Sequence, residues 1–241
     1  MDALRTCFNT IFIAPAAILW LAVSALAAVP FLRIFGDKDG KSVRKFVYVQ
    51  SRGIVFFMRL ASRGLRVEVA PRENKPYVVV ANHASALDLY TIGALGFDNV
   101  VYITKGWVFK IPFFHFVMDR AGYLDAEKTP PEEMLARCQK AVENGCSIVL
   151  FPQGSRKNPQ ARFKSGAFYL AEKLNLPVVP VAIAGTQIML PSGAKRIKAA
   201  KIVLKSFPEV SCANYGGEIG HLKMAQDIKK QIMNFVNQEG A

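Results

Sequence analysis

Acidic residues are scarce: 18 Asp and Glu stand against 31 Lys and Arg, a formal net charge of +13. Cysteine is scarce too. Cys7, Cys138, Cys146 and Cys212 fall at no CxxC or metal-ligand spacing, so they read as reduced structural thiols in a cytosolic setting, and no metal site is expected. Zinc-finger spacing, a basic zipper and an aromatic RNA-binding signature are missing, so nucleic acid is not the expected partner of all this positive charge. The chain carries no internal repeat, no low-complexity tract and no G-x-S-x-G. Charge itself is absent between Arg5 and Arg33.

What is present suits a membrane surface. The 241 residues are 51% hydrophobic with a mean hydropathy of +0.20, enough for one sizeable α/β domain with appended structure. Strong basicity combined with positive hydropathy fits an anionic lipid surface better than nucleic acid. The uncharged stretch is long enough to enter a bilayer, which about 20 apolar residues can span. Ala25-Leu26-Ala27 resembles a cleavage site, but the cations Arg33, Lys38, Lys41, Arg44 and Lys45 come after the segment. That order favours a retained anchor and puts the downstream chain on the cytoplasmic side of the cell (inner) membrane. Pro15 and Pro30 leave both a spanning and a one-leaflet geometry open.

The next segment has helical periodicity. Lys41, Arg44, Lys45, Arg52, Arg59 and Arg63 fall within about a 100° arc of a helical wheel, with Phe46, Val49, Ile54, Phe56, Phe57, Met58 and Leu60 around most of the rest. A basic stripe on a greasy helix suits the headgroup boundary, arginines toward phosphates; a core helix with one solvated face is the alternative. Residues 1–63 thus form two membrane-anchoring helices, and residues 64–241 a separate domain.

From Arg66 onward short apolar, β-branched runs alternate with helical patterns. Strands are expected at 67–69, 77–81, 100–103, 147–151, 178–183 and 202–204, and helices after Asp88 and at 131–143, 165–174 and 221–236. Such alternation predicts an α/β fold with a largely parallel central sheet and flanking helices.

Chemistry concentrates where these strands end. Asn82-His83-Ala84-Ser85-Ala86-Leu87-Asp88 follows the 77–81 run. On one continuous helix His83 and Asp88 would point about 140° apart. A loop leading to a helix that starts near Asp88 lets the carboxylate meet one imidazole nitrogen, which makes a base and its orienter. No nucleophile accompanies the pair, so the base is expected to activate a hydroxyl of the substrate. Phe151-Pro152-Gln153-Gly154-Ser155-Arg156 follows the 147–150 strand and offers N–H groups, a hydroxyl and a guanidinium suited to a phosphate monoester, with Lys157, Arg162 and Lys164 beyond. Lys105-Gly106 ends another strand, and the run from Trp107 to Phe114 reads either as core or as a wall for an acyl chain. His115 and His221 have no partner at a telling spacing.

Together H-x4-D, K-G-x5-P-F-F, F-P-x-G-[ST]-R and Leu176-Pro177-Val178-Val179-Pro180-Val181, in this order, resemble the glycerolipid acyltransferase family, and within it the bacterial 1-acylglycerol-3-phosphate acyltransferases. The resemblance implies an acyltransferase domain over 64–241 that moves a fatty acyl group from acyl-CoA or acyl carrier protein to the hydroxyl of lysophosphatidic acid, without a cofactor. It implies His83 as base and Asp88 as its partner. Gln153, Gly154, Ser155, Arg156 and Lys164 would take the acceptor phosphate, and Lys105, Gly106, Trp107, Phe113 and Phe114 the acyl carbonyl and chain. Membrane phospholipids, the lysophospholipid acceptor and the thioester donor are the implied partners. One departure stands out: the family usually has glutamate where this chain has Gln153. That change opens the headgroup to alternatives such as a lyso-ornithine lipid. A non-catalytic lipid-binding membrane protein is the distant alternative.

Overall fold

Strands covered on both faces read as continuous apolar runs, and this sequence contains three of them. Val78–Ala81 (β2) and Val178–Ala184 (β6) are buried at every position, and Ser147–Leu150 (β5) at its first three. The computed structural model describes residues 2–106 and 112–239. It places these strands at the centre of a seven-stranded sheet. The others are Leu65–Glu68 (β1), Val100–Thr104 (β3), Leu124–Asp125 (β4) and Ile202–Ser206 (β7), in the order β1-β7-β6-β2-β5-β3-β4. Every neighbouring pair is parallel except β6 with β7. The expected largely parallel α/β sheet is what forms. β4, two residues long, has no sequence signal of its own.

The N-terminal part is one long helix and a second packed on it. Asp2–Phe8 (α1) continues through a π-helical turn, Asn9–Ile13, into Ala14–Phe35 (α2). The wider π turn lies just ahead of Pro15, which has no N–H to give to an α-helical ladder. Lys41–Ala61 (α3) follows. Residues Asp2–Ile34 are long and apolar enough to cross a membrane, and only 6% of their most apolar window is buried. Ile18, Leu19, Val23 and Leu26 are all more than half exposed.

α3 is less detached than the 63/64 boundary implies. Its inner face, Val43, Ile54, Val55, Met58 and Ala61, belongs to the same buried core as the sheet. The expected basic stripe also needs a correction at Arg44. That side chain is buried, with Nε donating to Asn99 Oδ1 (2.6 Å) and Nη1 to the carbonyls of Asp39 and Ala121. A wheel gives angles, not neighbours, and Arg44 faces protein. Lys41, Lys45, Arg52 and Arg59 do lie on the exposed side, interleaved with exposed Val49, Phe56 and Leu60, whereas Arg63 lies past the end of the helix and pairs with Asp2.

The remaining helices take their sides from the crossover rule. They are Asp88–Ala94 (α4), Pro112–Ala121 (α5), Pro131–Glu143 (α6), Gly166–Lys173 (α7), Thr186–Met189 (α8) and Gly220–Glu239 (α9). From β2 the chain crosses through α4 toward β3, and from β5 through α7 in the opposite direction, past β2 to β6. Both crossovers being right-handed, α4 and α7 lie on opposite faces. α3 packs on α4 and α5, while α7 and α9 pack on each other and on β2 and β6. The loops that follow the adjacent strands β2 and β5 come together at the carboxyl ends of the sheet, where open α/β sheets bind ligands.

Candidate active site

β2 ends because its next side chain takes over its ladder. Asn82 Nδ2 donates to the carbonyl of Ile183 and its Oδ1 accepts from the Ile183 N–H, both at 2.8 Å, so the backbone is released from β6 at that point. The chain then turns through 83–87, and α4 begins at Asp88. Asp88 is wholly buried, and its carboxylate gathers the loop around it. Oδ2 accepts from the N–H groups of Ala84 (2.7 Å) and Ser85 (2.8 Å) and lies 2.9 Å from His83 Nδ1. Oδ1 accepts from the Thr186 hydroxyl at 2.7 Å. A carboxylate only accepts, so Nδ1 carries the proton and Nε2 is left free to take one.

The loop after β5 closes against this one. The ring of Phe151 lies 4.4 Å from that of His83, and the His83 N–H donates to Gln153 Oε1 at 2.5 Å. Gln153 is almost fully buried, and its Nε2 donates to the carbonyl of Pro159 at 2.5 Å. Each end of this amide thus makes one bond inside the protein. The amide also explains the departure from glutamate: a carboxylate would accept from His83 but has no N–H for Pro159.

Arg156 is half-buried, three residues beyond Gln153. With Lys157 and Ala84 it lines a cavity of about 460 Å³, whose opposite wall is the 191–193 turn. Ala84 follows His83 in the chain, so the backbone of the histidine loop and the cationic loop border the same space. Ser155 Oγ accepts from the Lys157 N–H at 3.2 Å, and the Lys164 ammonium folds back over Gly154. The structure therefore brings His83, Asp88, Gln153, Gly154, Ser155, Arg156 and Lys164 to one end of the sheet.

Lys105 and Gly106 follow β3, the strand beyond β5, at the same end of the sheet. Lys105 is about half exposed, with its ammonium 3.8 Å from Glu127. A Cβ at Gly106 would stand 2.3 Å from Asp125 Oδ2, so a side chain there would have to displace that carboxylate. Trp107 and the side chains of Phe113 and Phe114 lie outside the described residues.

The sequence reading missed Thr186. Its place is set by Gly185, which has φ +89° and leaves no space for a Cβ, 1.9 Å from the Lys201 carbonyl. β6 is the parallel neighbour of β2, with Ala81 opposite Val181, so the residue just past the end of β6 meets the loop just past the end of β2. The rule that pointed to the other strand ends would have pointed here as well.

A family model described as Acyltransferase matches residues 64–184, half of the chain. The chain belongs to this acyltransferase family. The match starts just before β1 and ends with β6, so it takes in the loops after β2, β3 and β5. Among its relatives are the 1-acyl-sn-glycerol-3-phosphate acyltransferases BAT2 of Brassica napus and LPAT1 of Arabidopsis thaliana, both chloroplastic. They are 33% and 31% identical over 73% and 74% of this chain, and over 52% and 51% of their own lengths. The chain thus spans about half the length of these curated relatives. A crystal structure of the 1-acyl-sn-glycerophosphate (LPA) acyltransferase PlsC from Thermotoga maritima shares the fold. Its TM-score is 0.68 at 24% identity, over 98% of this chain and 95% of that one. The acyltransferase region and the N-terminal helices are therefore both accounted for in one known architecture.

Proposed function

We propose that this acyltransferase moves a fatty acyl group from a thioester donor, acyl-CoA or acyl carrier protein, to the free hydroxyl of lysophosphatidic acid, giving phosphatidic acid. The observation that carries this reading is the His83–Asp88 pair, 2.9 Å apart, in a loop bonded through Gln153 to the loop that carries Arg156. In this mechanism His83 Nε2 takes the proton of the acceptor hydroxyl as its oxygen attacks the thioester carbonyl. The tetrahedral intermediate collapses, the C–S bond breaks, and the imidazolium returns its proton to the departing thiolate. The backbone at Lys105–Gly106 is the proposed oxyanion contact. Arg156, with Ser155 and Lys164, holds the phosphate.

Other details support direct transfer. Cys138 is buried and its thiol is pushed up to about 12; burial also raises Cys146 and Cys212. None of these three is poised as a nucleophile. The net charge of +13 would attract either acidic donor.

The test is a panel of lysolipids offered to the full chain with one thioester donor. Lysophosphatidic acid is expected to be acylated fastest, with product scaling with the donor. Faster acylation of a phosphate-free acceptor such as a lyso-ornithine lipid, or no thioester-dependent product from any of them, would overturn the reading.

The exposed apolar side of α2 and the mixed cationic and apolar side of α3 hold the protein to the inner membrane in this proposal, with the catalytic part in the cytoplasm. The protein is expected to stay with the membrane fraction through a high-salt wash, because the apolar contact does not depend on ionic strength. Release by salt alone would leave only an electrostatic association.

A further inference from the structure

We propose that Lys195, Arg196 and Lys198 form a surface that binds anionic phospholipid headgroups of the bilayer and seats the Arg156 cavity beside them, an inference that rests on the membrane association proposed above. All three side chains are exposed, and none has an acidic partner among the described residues. The backbone between them is fixed to the anchor: the Ile197 N–H donates to Thr10 Oγ1 at 3.0 Å. Thr10 belongs to the long apolar helix, where its neighbours Phe8, Ile11 and Phe12 are more than half exposed. Cations held next to an apolar surface that enters a bilayer meet its phosphate layer. The end of α3 lies at the same level, with Asn9 Nδ2 donating to the Ala61 carbonyl at 2.9 Å, so exposed Arg59 adds to the cationic surface.

The same segment reaches the site. Pro191, Ser192 and Gly193 wall the cavity that Arg156 and Lys157 line, and from Gly193 to Ile197 the chain can span about 14 Å at most. Both ends of the segment are tied down near the base loop. The Lys198 N–H donates to the Met189 carbonyl at 2.9 Å, and Ser85 Oγ to the Leu190 carbonyl at 2.8 Å. Helix contact, cations and cavity wall therefore form one connected piece. None of the three cations lines the cavity itself, so their occupant is membrane lipid and not the reacting phosphate. An acceptor lipid whose phosphate lies in the headgroup layer is thereby brought next to the pocket where it reacts.

Competition between two vesicle populations tests this. The full chain, diluted from neutral detergent into mixed phosphatidylcholine and phosphatidylglycerol vesicles that are then separated by density, is expected to favour the phosphatidylglycerol. Lys195→Gln, Arg196→Gln and Lys198→Gln combined should cut that preference about tenfold or more, with the total bound unchanged because the apolar helix still inserts. Lys195→Arg, Arg196→Lys and Lys198→Arg combined keep the charge and should keep the preference. Lys223→Gln with Lys230→Gln on α9, on the face of the sheet opposite α3, should leave it within about twofold. The KM of the glutamine variant for a short-chain, water-soluble lysophosphatidic acid should also stay within about twofold of wild type. An unchanged preference in the glutamine variant, an equal loss in the α9 variant, or a tenfold rise in that KM would each overturn the inference. The vesicle distribution is read without turnover, so a chain inactive toward every acceptor would remove the transfer reading and leave this test standing. A chain that bound neither vesicle would remove the membrane association and this inference with it.

Discussion

Replacing His83 with alanine is expected to lower turnover by roughly 10²–10⁴ and to leave the fold intact. The two halves of that statement come from different contacts. Turnover depends on Nε2, which the neighbouring Arg156, Lys157 and Lys164 cannot replace, since guanidinium and ammonium groups offer donors and no acceptor. Stability depends on Asp88, which in the variant still accepts from the N–H groups of Ala84 and Ser85 and from the Thr186 hydroxyl. The histidine backbone N–H, and with it the bond to Gln153, also survives the substitution. The lost imidazole contact is part-buried, so the change in unfolding free energy should be about 1 kcal/mol or less. Single-turnover rates and thermal unfolding measured on the same preparation check both parts. A folded His83→Ala protein that keeps more than a tenth of wild-type turnover would remove the imidazole from the chemistry.

Much of this architecture was legible in the sequence because parallel strands leave a loud signal. Runs such as Tyr77 to Ala81 and Val178 to Ile183 are apolar at successive positions, and only central strands ask for that. Once the strands are placed, the polar blocks fall at their carboxyl ends, and the five-residue spacing of His83 and Asp88 requires a loop. What the sequence hid depends on contacts distant along the chain. Thr186 lies 98 residues from Asp88 and meets it only through the β2/β6 register. Arg44 fits the basic stripe by periodicity, yet Asn99 and the Ala121 carbonyl claim it from other elements. The role of Gln153 was equally unreadable, since its meaning rests on the direction of the Pro159 carbonyl. β4 and α8 are too short for any periodic pattern.

Asp88→Asn separates the two roles of the carboxylate, and the geometry fixes which way the new amide sits. Its NH₂ cannot occupy the Oδ2 place, where it would face the N–H groups of Ala84 and Ser85, donors against donors. The carbonyl oxygen therefore takes that place and keeps the bond from His83 Nδ1. The NH₂ turns to Thr186, whose hydroxyl can rotate to accept. Loop, tautomer and fold are all retained. What is lost is the negative charge that stabilises the imidazolium while the acceptor hydroxyl is ionised. Turnover is expected to fall by roughly 10²–10⁴, about 3–5 kcal/mol of transition-state stabilisation, with little change in KM for either substrate. Asp88→Ala should behave differently. It leaves two backbone N–H groups and a hydroxyl buried without an acceptor, at about 1–3 kcal/mol each, so it should lower the unfolding temperature as well as the rate. If Asp88→Asn instead keeps more than half of the turnover, the carboxylate serves only to fold the loop, and the rate must come from the placement of His83 alone.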